Sequence, residues 1–144
     1  MATVSSIAAA IATQLSALSW VDEASATSYA PATAGRNVCA FVVPFDQATT
    51  AEPANMDGDL FLRHVLTVEF WTQVKSNRIA DAMTTARDAA TLAIVRLAQY
   101  DGTGYTLEAP VRFEERIYGE PVTHAGVPWI ISALRVPVIN EVAI

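Results

Sequence analysis

The chain carries one cysteine, two histidines and a single lysine in 144 residues, and each scarcity removes a class of function. One cysteine, Cys39, cannot close an intramolecular disulfide. It lies in the apolar run Val38-Cys39-Ala40-Phe41-Val42-Val43, where a buried, inert thiol is expected. His64 and His124 have no metal-ligand spacing with cysteine, histidine or carboxylate, so both read as polar surface or strand-edge residues. No glycine loop opens a helix to cradle phosphate, and no Gly-x-Ser-x-Gly elbow presents a nucleophile. No apolar run approaches the length of a membrane span. The N-terminus has no basic region ahead of its apolar residues, so no secretory leader is expected. A soluble protein made in a reducing compartment is the expectation, with no cofactor, no metal and no enzyme activity.

Basic charge is also sparse. Nine Lys and Arg stand against fifteen Asp and Glu, for a formal net charge of −6. The arginines are scattered, whereas a protein that grips nucleic acid carries a basic stripe. A wall past which DNA slides without sticking is still compatible with this charge. What is abundant is apolar: hydrophobic residues make up 52% and charged residues 17%, far from the signature of disorder. A chain of this length fits one domain, 1–144, able to bury a core without staples.

Periodicity divides the chain into elements. Ile7, Ile11, Leu15 and Leu18 form one stripe of a helix over 5–18, with Thr3, Ser5 and Ser6 as capping hydroxyls. Residues 24–37 read as an irregular connection with a short extended piece. Val38 to Phe45 predicts a strand, with Pro44 at its end or edge. Asp46 to Asp59 has no periodicity and reads as a long loop. Alternation returns at 63–74, where Leu66, Val68, Phe70 and Val74 oppose Thr67, Glu69 and Gln73. Ser76-Asn77 then reads as the cap of a helix to about Tyr100, with Ile79, Met83, Ala86, Ala90, Ile94 and Leu97 as its stripe. Strands are predicted at 111–118 and 129–138, separated by a loop at 119–128 and with Pro137 marking an edge or bulge. The order α-β-β-α-β-β predicts an α+β domain: a four-stranded antiparallel sheet with two helices packed on one face.

Two stretches hold the candidate functional residues. The loop contributes Asp46, Gln47, Glu52, Met56, Asp57 and Asp59. Asp57-Gly58-Asp59 lacks the further oxygens and closing glutamate of a calcium loop, so it reads as a solvated turn. The second stretch is Arg112, Glu114 and Arg116, which share one face of a strand. That ladder fits a solvated outer face or an inter-subunit ion-pair strip. Glu114 and Glu115 point to opposite faces, so they do not form a shared acid/base site.

The arrangement resembles the tail terminator (tail completion) proteins of long-tailed bacteriophages and gene-transfer particles. The residues that carry the resemblance are the alanine-rich first helix, Val42-Val43-Pro44, Leu66-Thr67-Val68-Glu69-Phe70-Trp71, and Ser76-Asn77 ahead of the helix containing Ala82-Met83. Two closing strands complete it. The resemblance implies a ring, usually hexameric, at the head-proximal end of the virion tail, assembled in the host cytoplasm. Such a ring stops polymerisation of the tail tube protein and meets a head-tail connector or neck protein. DNA passes through it without specific binding, and no membrane is involved. Another neck or head-tail joining protein, a small dimeric ligand-binding module and an enzyme are the competing readings. Long loops on a rigid sheet would supply the subunit interfaces.

Overall fold

A hydroxyl pair starts the first helix, α1 (Val4–Ser16). Thr3 Oγ1 accepts from the Ser6 amide at 3.1 Å, and Ser6 Oγ accepts from the Thr3 amide at 2.9 Å. This reciprocal box satisfies two amides that no helical carbonyl can reach. Ile7, Ile11 and Leu15 are buried as the stripe requires, and Leu18 packs on the core edge just past the helix. The computed structural model describes residues 3–28, 30–31, 37–53, 56, 58–114 and 121–142, and the side chains of 44–48 and 142 lie outside that description.

The strands are β1 (Glu23–Ser25), β2 (Val38–Pro53), β3 (Leu60–Gln73), β4 (Arg112–Glu114), β5 (Val122–His124) and β6 (Val127–Val142). They form one sheet in the order β1-β2-β3-β6-β4, with β5 also paired to β6. The expected four-stranded antiparallel sheet is therefore wrong in two respects. Six strands are present among the described residues, and the sheet is mixed because β1 runs parallel to β2. A three-residue strand is too short to show alternation, and β1 is fixed by register instead, with Glu23 opposite Cys39 and Ser25 opposite Phe41. β5 likewise lay within an expected loop. Ala125 and Gly126, at φ 52° and 79°, make a tight turn that folds it onto β6.

The second helix, α2 (Ile79–Gln99), has no side-chain cap. Ser76 and Asn77 adopt left-handed φ values of 52° and 57° and turn the chain out of β3, so the helix starts later than the capping pattern suggests. Its deepest positions are Ala82, Ala86, Ala89, Ala90, Ala93 and Leu97, while Ile79, Met83 and Ile94 are half-buried. The small side chains turn to the sheet because they allow close approach, and the larger ones seal the margins. Both helices lie over the face formed by Val38, Ala40, Val42, Leu66, Val68, Phe70, Leu134, Val136 and Val138.

Two contacts lock the end of α2. The Tyr105 hydroxyl donates to the Leu97 carbonyl at 2.5 Å, and burial with nearby Asp101 pushes its pKa up to about 12, against the opposing pull of Arg96. Gly104 (φ 101°) passes so close to α1 that a Cβ there would lie 2.8 Å from Ala10 Cβ. Glycine alone suits both the left-handed backbone and the space.

The other sheet face is not a plain solvated surface. Cys39, Phe41, Trp71 and Trp129 form a second buried cluster there. Trp71 meets Phe41 and Trp129 edge-on, with centroids 6.4 and 6.3 Å away. His124 completes the group, its ring 5.7 Å from that of Trp71 and its Nε2 3.1 Å from the Pro31 carbonyl. It therefore caps a small core from the end of the edge strand β5, where it is half-buried.

Leu97 is fully buried and Val95 is half exposed on the same helix. Leu97→Ala is expected to cost about 2–5 kcal/mol and Val95→Ala less than about 0.5 kcal/mol. Chemical denaturation midpoints check this, and equal shifts would refute the assigned buried face.

Candidate assembly interface

The segment expected to be a long loop is mostly strand. β2 pairs with β3 from Val38↔Thr72 to Val43↔Thr67, then again from Ala48↔Val65 to Pro53↔Leu60. Between these runs, residues 44–47 lie opposite Leu66 alone. That offset breaks the period of two, which is why the sequence shows no alternation there. β6 extends equally far on the other side of β3, with Leu62 opposite Asn140 and Leu60 opposite Val142. The result is a three-stranded arm continuing the sheet.

The arm is apolar on both sides. Leu60, Phe61, Leu62, Val65 and Ile139 are all half-buried, and none packs against the three buried clusters. Its polar groups hold it straight. His64 is only 2% exposed at mid-strand. Its Nδ1 lies 3.0 Å from Thr49 Oγ1 and its Nε2 3.0 Å from Asn140 Oδ1. An amide oxygen only accepts, so Nε2 carries the proton and Nδ1 accepts from the Thr49 hydroxyl. One side chain thus rivets β2, β3 and β6. The expectation of a surface or strand-edge histidine fails because β2 and β6 pair with β3 on both sides of it. On the opposite face Arg63 bridges Glu52 at 3.2 Å and also pairs with Glu108.

Each sequence-derived candidate can now be placed. Asp46 and Gln47 occupy the backbone irregularity of β2, and their side chains lie outside the description. Glu52 is exposed on the arm and engaged by Arg63. Met56 is fully solvent-exposed at the tip, at 103% of its reference area. Asp59 is half-buried at the return into β3. Asp57 and Arg116 fall outside the described residues. Arg112 and Glu114 share a face at the far edge of the sheet, away from the arm tip, as the register opposite Arg135 and Ala133 requires. Glu114 is bound by Arg135 of its own chain, which also reaches Thr67 Oγ1 at 2.8 Å. The described residues of the two candidate stretches are not brought together, and Glu114 serves an internal ion pair.

A groove of about 670 Å³ lies at the opposite end of β3. Trp20, Val38, Ala82, Ala89 and Leu92 supply apolar wall, and Lys75 and Arg78 stand at it. Sequence periodicity does not reveal it because its lining comes from four separate segments. Exposed Leu92 was the available signal, an apolar residue on the outer side of a helix. Among the described residues no group of three or more His, Cys, Asp or Glu is placed to hold a metal ion. No described helix is long and apolar enough to cross a membrane. No protein-family model and no curated protein matches the chain.

Replacing His64 with alanine removes its hydrogen bonds to Thr49 Oγ1 and Asn140 Oδ1 and empties the site of a ring only 2% exposed. Each hydrogen bond lost contributes about 0.5–1.5 kcal/mol. His64→Ala is therefore expected to destabilise the domain measurably and to speed hydrogen exchange of amides 49–53 more than those of 66–70. Uniform exchange across both stretches would show that His64 does not hold the arm.

Proposed function

We propose that the protein is a tail terminator: a subunit of a ring, hexameric by the family resemblance, at the head-proximal end of a phage-type tail. In this reading the ring stops growth of the tail tube and presents a surface to the head connector. The observation that carries it is the arm. A three-stranded extension with half-buried apolar residues on both faces, ending in a fully exposed methionine, fits a surface that is covered by another protein. An isolated hairpin of this kind is marginal in water, so its length is better explained by contact than by folding. The net charge of −6 suits a ring through which DNA passes, because a subunit of that charge does not hold phosphate.

Replacing 51–62 with Asn-Gly rejoins Thr50 to Arg63 in their existing register and keeps the His64 contacts. The wild-type chain is expected to sediment as a closed ring visible in electron micrographs. The shortened chain is expected to stay folded and monomeric, and tails assembled with it to lose length control or fail to join heads. A wild-type monomer, or normal rings from the shortened chain, would overturn the assignment.

A second measurement concerns DNA. Duplex DNA is expected to run unretarded with the protein at physiological salt. Retention at micromolar protein would refute the non-binding channel.

A further inference from the structure

The groove at the Gln73 end of β3, about 670 Å³, has the volume of a site for a small organic molecule. Its floor is apolar, since Val38, Ala82 and Ala89 line it and are buried. Trp20, braced by Phe70 at a centroid distance of 6.3 Å, and half-exposed Leu92 add apolar wall. One polar atom interrupts this lining. Thr72 is only 2% exposed, and its Oγ1 has no hydrogen-bond partner among the described residues. Buried polar groups are nearly always paired, so an orphan at the wall of a cavity marks where a ligand group belongs.

Charge decides the class of ligand. Five charged side chains line the groove: Asp22, Asp81, Asp88, Lys75 and Arg78. Both bases are matched within the chain. Arg78 pairs with Asp81 at 3.8 Å. Lys75 donates to Asn37 Oδ1, and the Asn37 amide donates to Asp22 at 2.5 Å, which sets that base beside that acid. Asp88 is left over, with no hydrogen bond or ion pair among the described residues. It stands exposed at the rim, one helical turn before Leu92 and next to the floor residue Ala89. A carboxylate without a counter-charge at the mouth of an apolar hollow attracts cations and repels anions. One carboxylate is too few oxygens for a bare metal ion, and no described group of metal ligands surrounds it.

We infer that the groove binds a small organic cation, a primary ammonium group carried on an aromatic or branched apolar body. The ammonium pairs with Asp88 at the rim, and the body fills the hollow against Trp20 and Leu92. A hydrogen-bonding group on that body meets Thr72 Oγ1. The site is complete within one chain and does not depend on the ring reading.

Tryptamine, an ammonium on an indole, is the probe, and indole-3-acetate, an anion of similar shape, is its control. Calorimetric titration of the wild-type protein is expected to show saturable binding of tryptamine and none of indole-3-acetate. Amide chemical shifts in 20–22, 72–75 and 85–92 should move with tryptamine, while those of 49–53 on the arm stay fixed. Asp88→Asn, at an exposed position, should weaken tryptamine about tenfold and leave the melting temperature unchanged. Thr72→Val should raise the melting temperature of the free protein and yet weaken tryptamine, a combination that a purely structural hydroxyl does not produce. Equal binding of the two indoles, tryptamine affinity unchanged in either variant, or no binding at millimolar tryptamine would overturn the site and leave the ring reading untouched.

Discussion

Every element of this domain is placed by the requirement that β3 be hydrogen-bonded on both edges along its whole length. β6 occupies one edge from Leu60 to Gln73, and β2 the other from Leu60 to Thr72, broken only at Leu66. A strand satisfied this way has no edge of its own to offer, so its side chains decide what covers each face. Near the helices those side chains are Leu66, Val68 and Phe70, all fully buried. Farther out they are Leu60, Phe61 and Leu62, only half-buried. The same three-stranded unit is thus core at one end and projection at the other.

The helices follow from that division. α2 brings alanines to the sheet, so its backbone rides close, and α1 packs beside it with Gly104 threading the remaining space next to Ala10. Arg96 ties the pair together by donating to Gln14 Oε1 at 3.1 Å, with its guanidinium 3.8 Å over the Tyr100 ring. These contacts gather around the end of α2. The end nearer Arg78 is left parted, and the groove opens there.

Much of this was legible in the residues. Ile7, Ile11 and Leu15 are an unambiguous helical stripe, and Leu66, Val68 and Phe70 alternate as a half-buried strand must. Failures came where a local signal was overruled by pairing. Thr49 to Pro53 reads as loop because residues 44–47 lie opposite Leu66 alone, and those three extra residues disrupt its phase. Ser76-Asn77 resembles a cap, yet a left-handed turn out of β3 uses both residues before the helix begins. Pro137, which suggests an edge or a bulge, does lie where no described strand pairs with the outer side of β6: only the segment around Leu107 meets it, with the Glu108 amide donating to the Pro137 carbonyl at 3.1 Å. Of the candidate site residues, Glu52 and Met56 sit on the projection as an interface needs, whereas Glu114 is consumed by Arg135. The groove was invisible because no single stretch of sequence builds it.

The outer edge of β2 has one further consequence. β1 covers it only opposite Cys39 to Phe41, and no described strand pairs with it from Ala48 to Pro53. An open edge of that length is a template on which strands from other molecules can stack indefinitely, giving fibrils where a closed particle is wanted. The edge carries its own deterrents: an irregularity at 44–47, the exposed charge of Glu52, and Pro53, which has no amide to give. Losing them would leave the fold intact and change what it polymerises into.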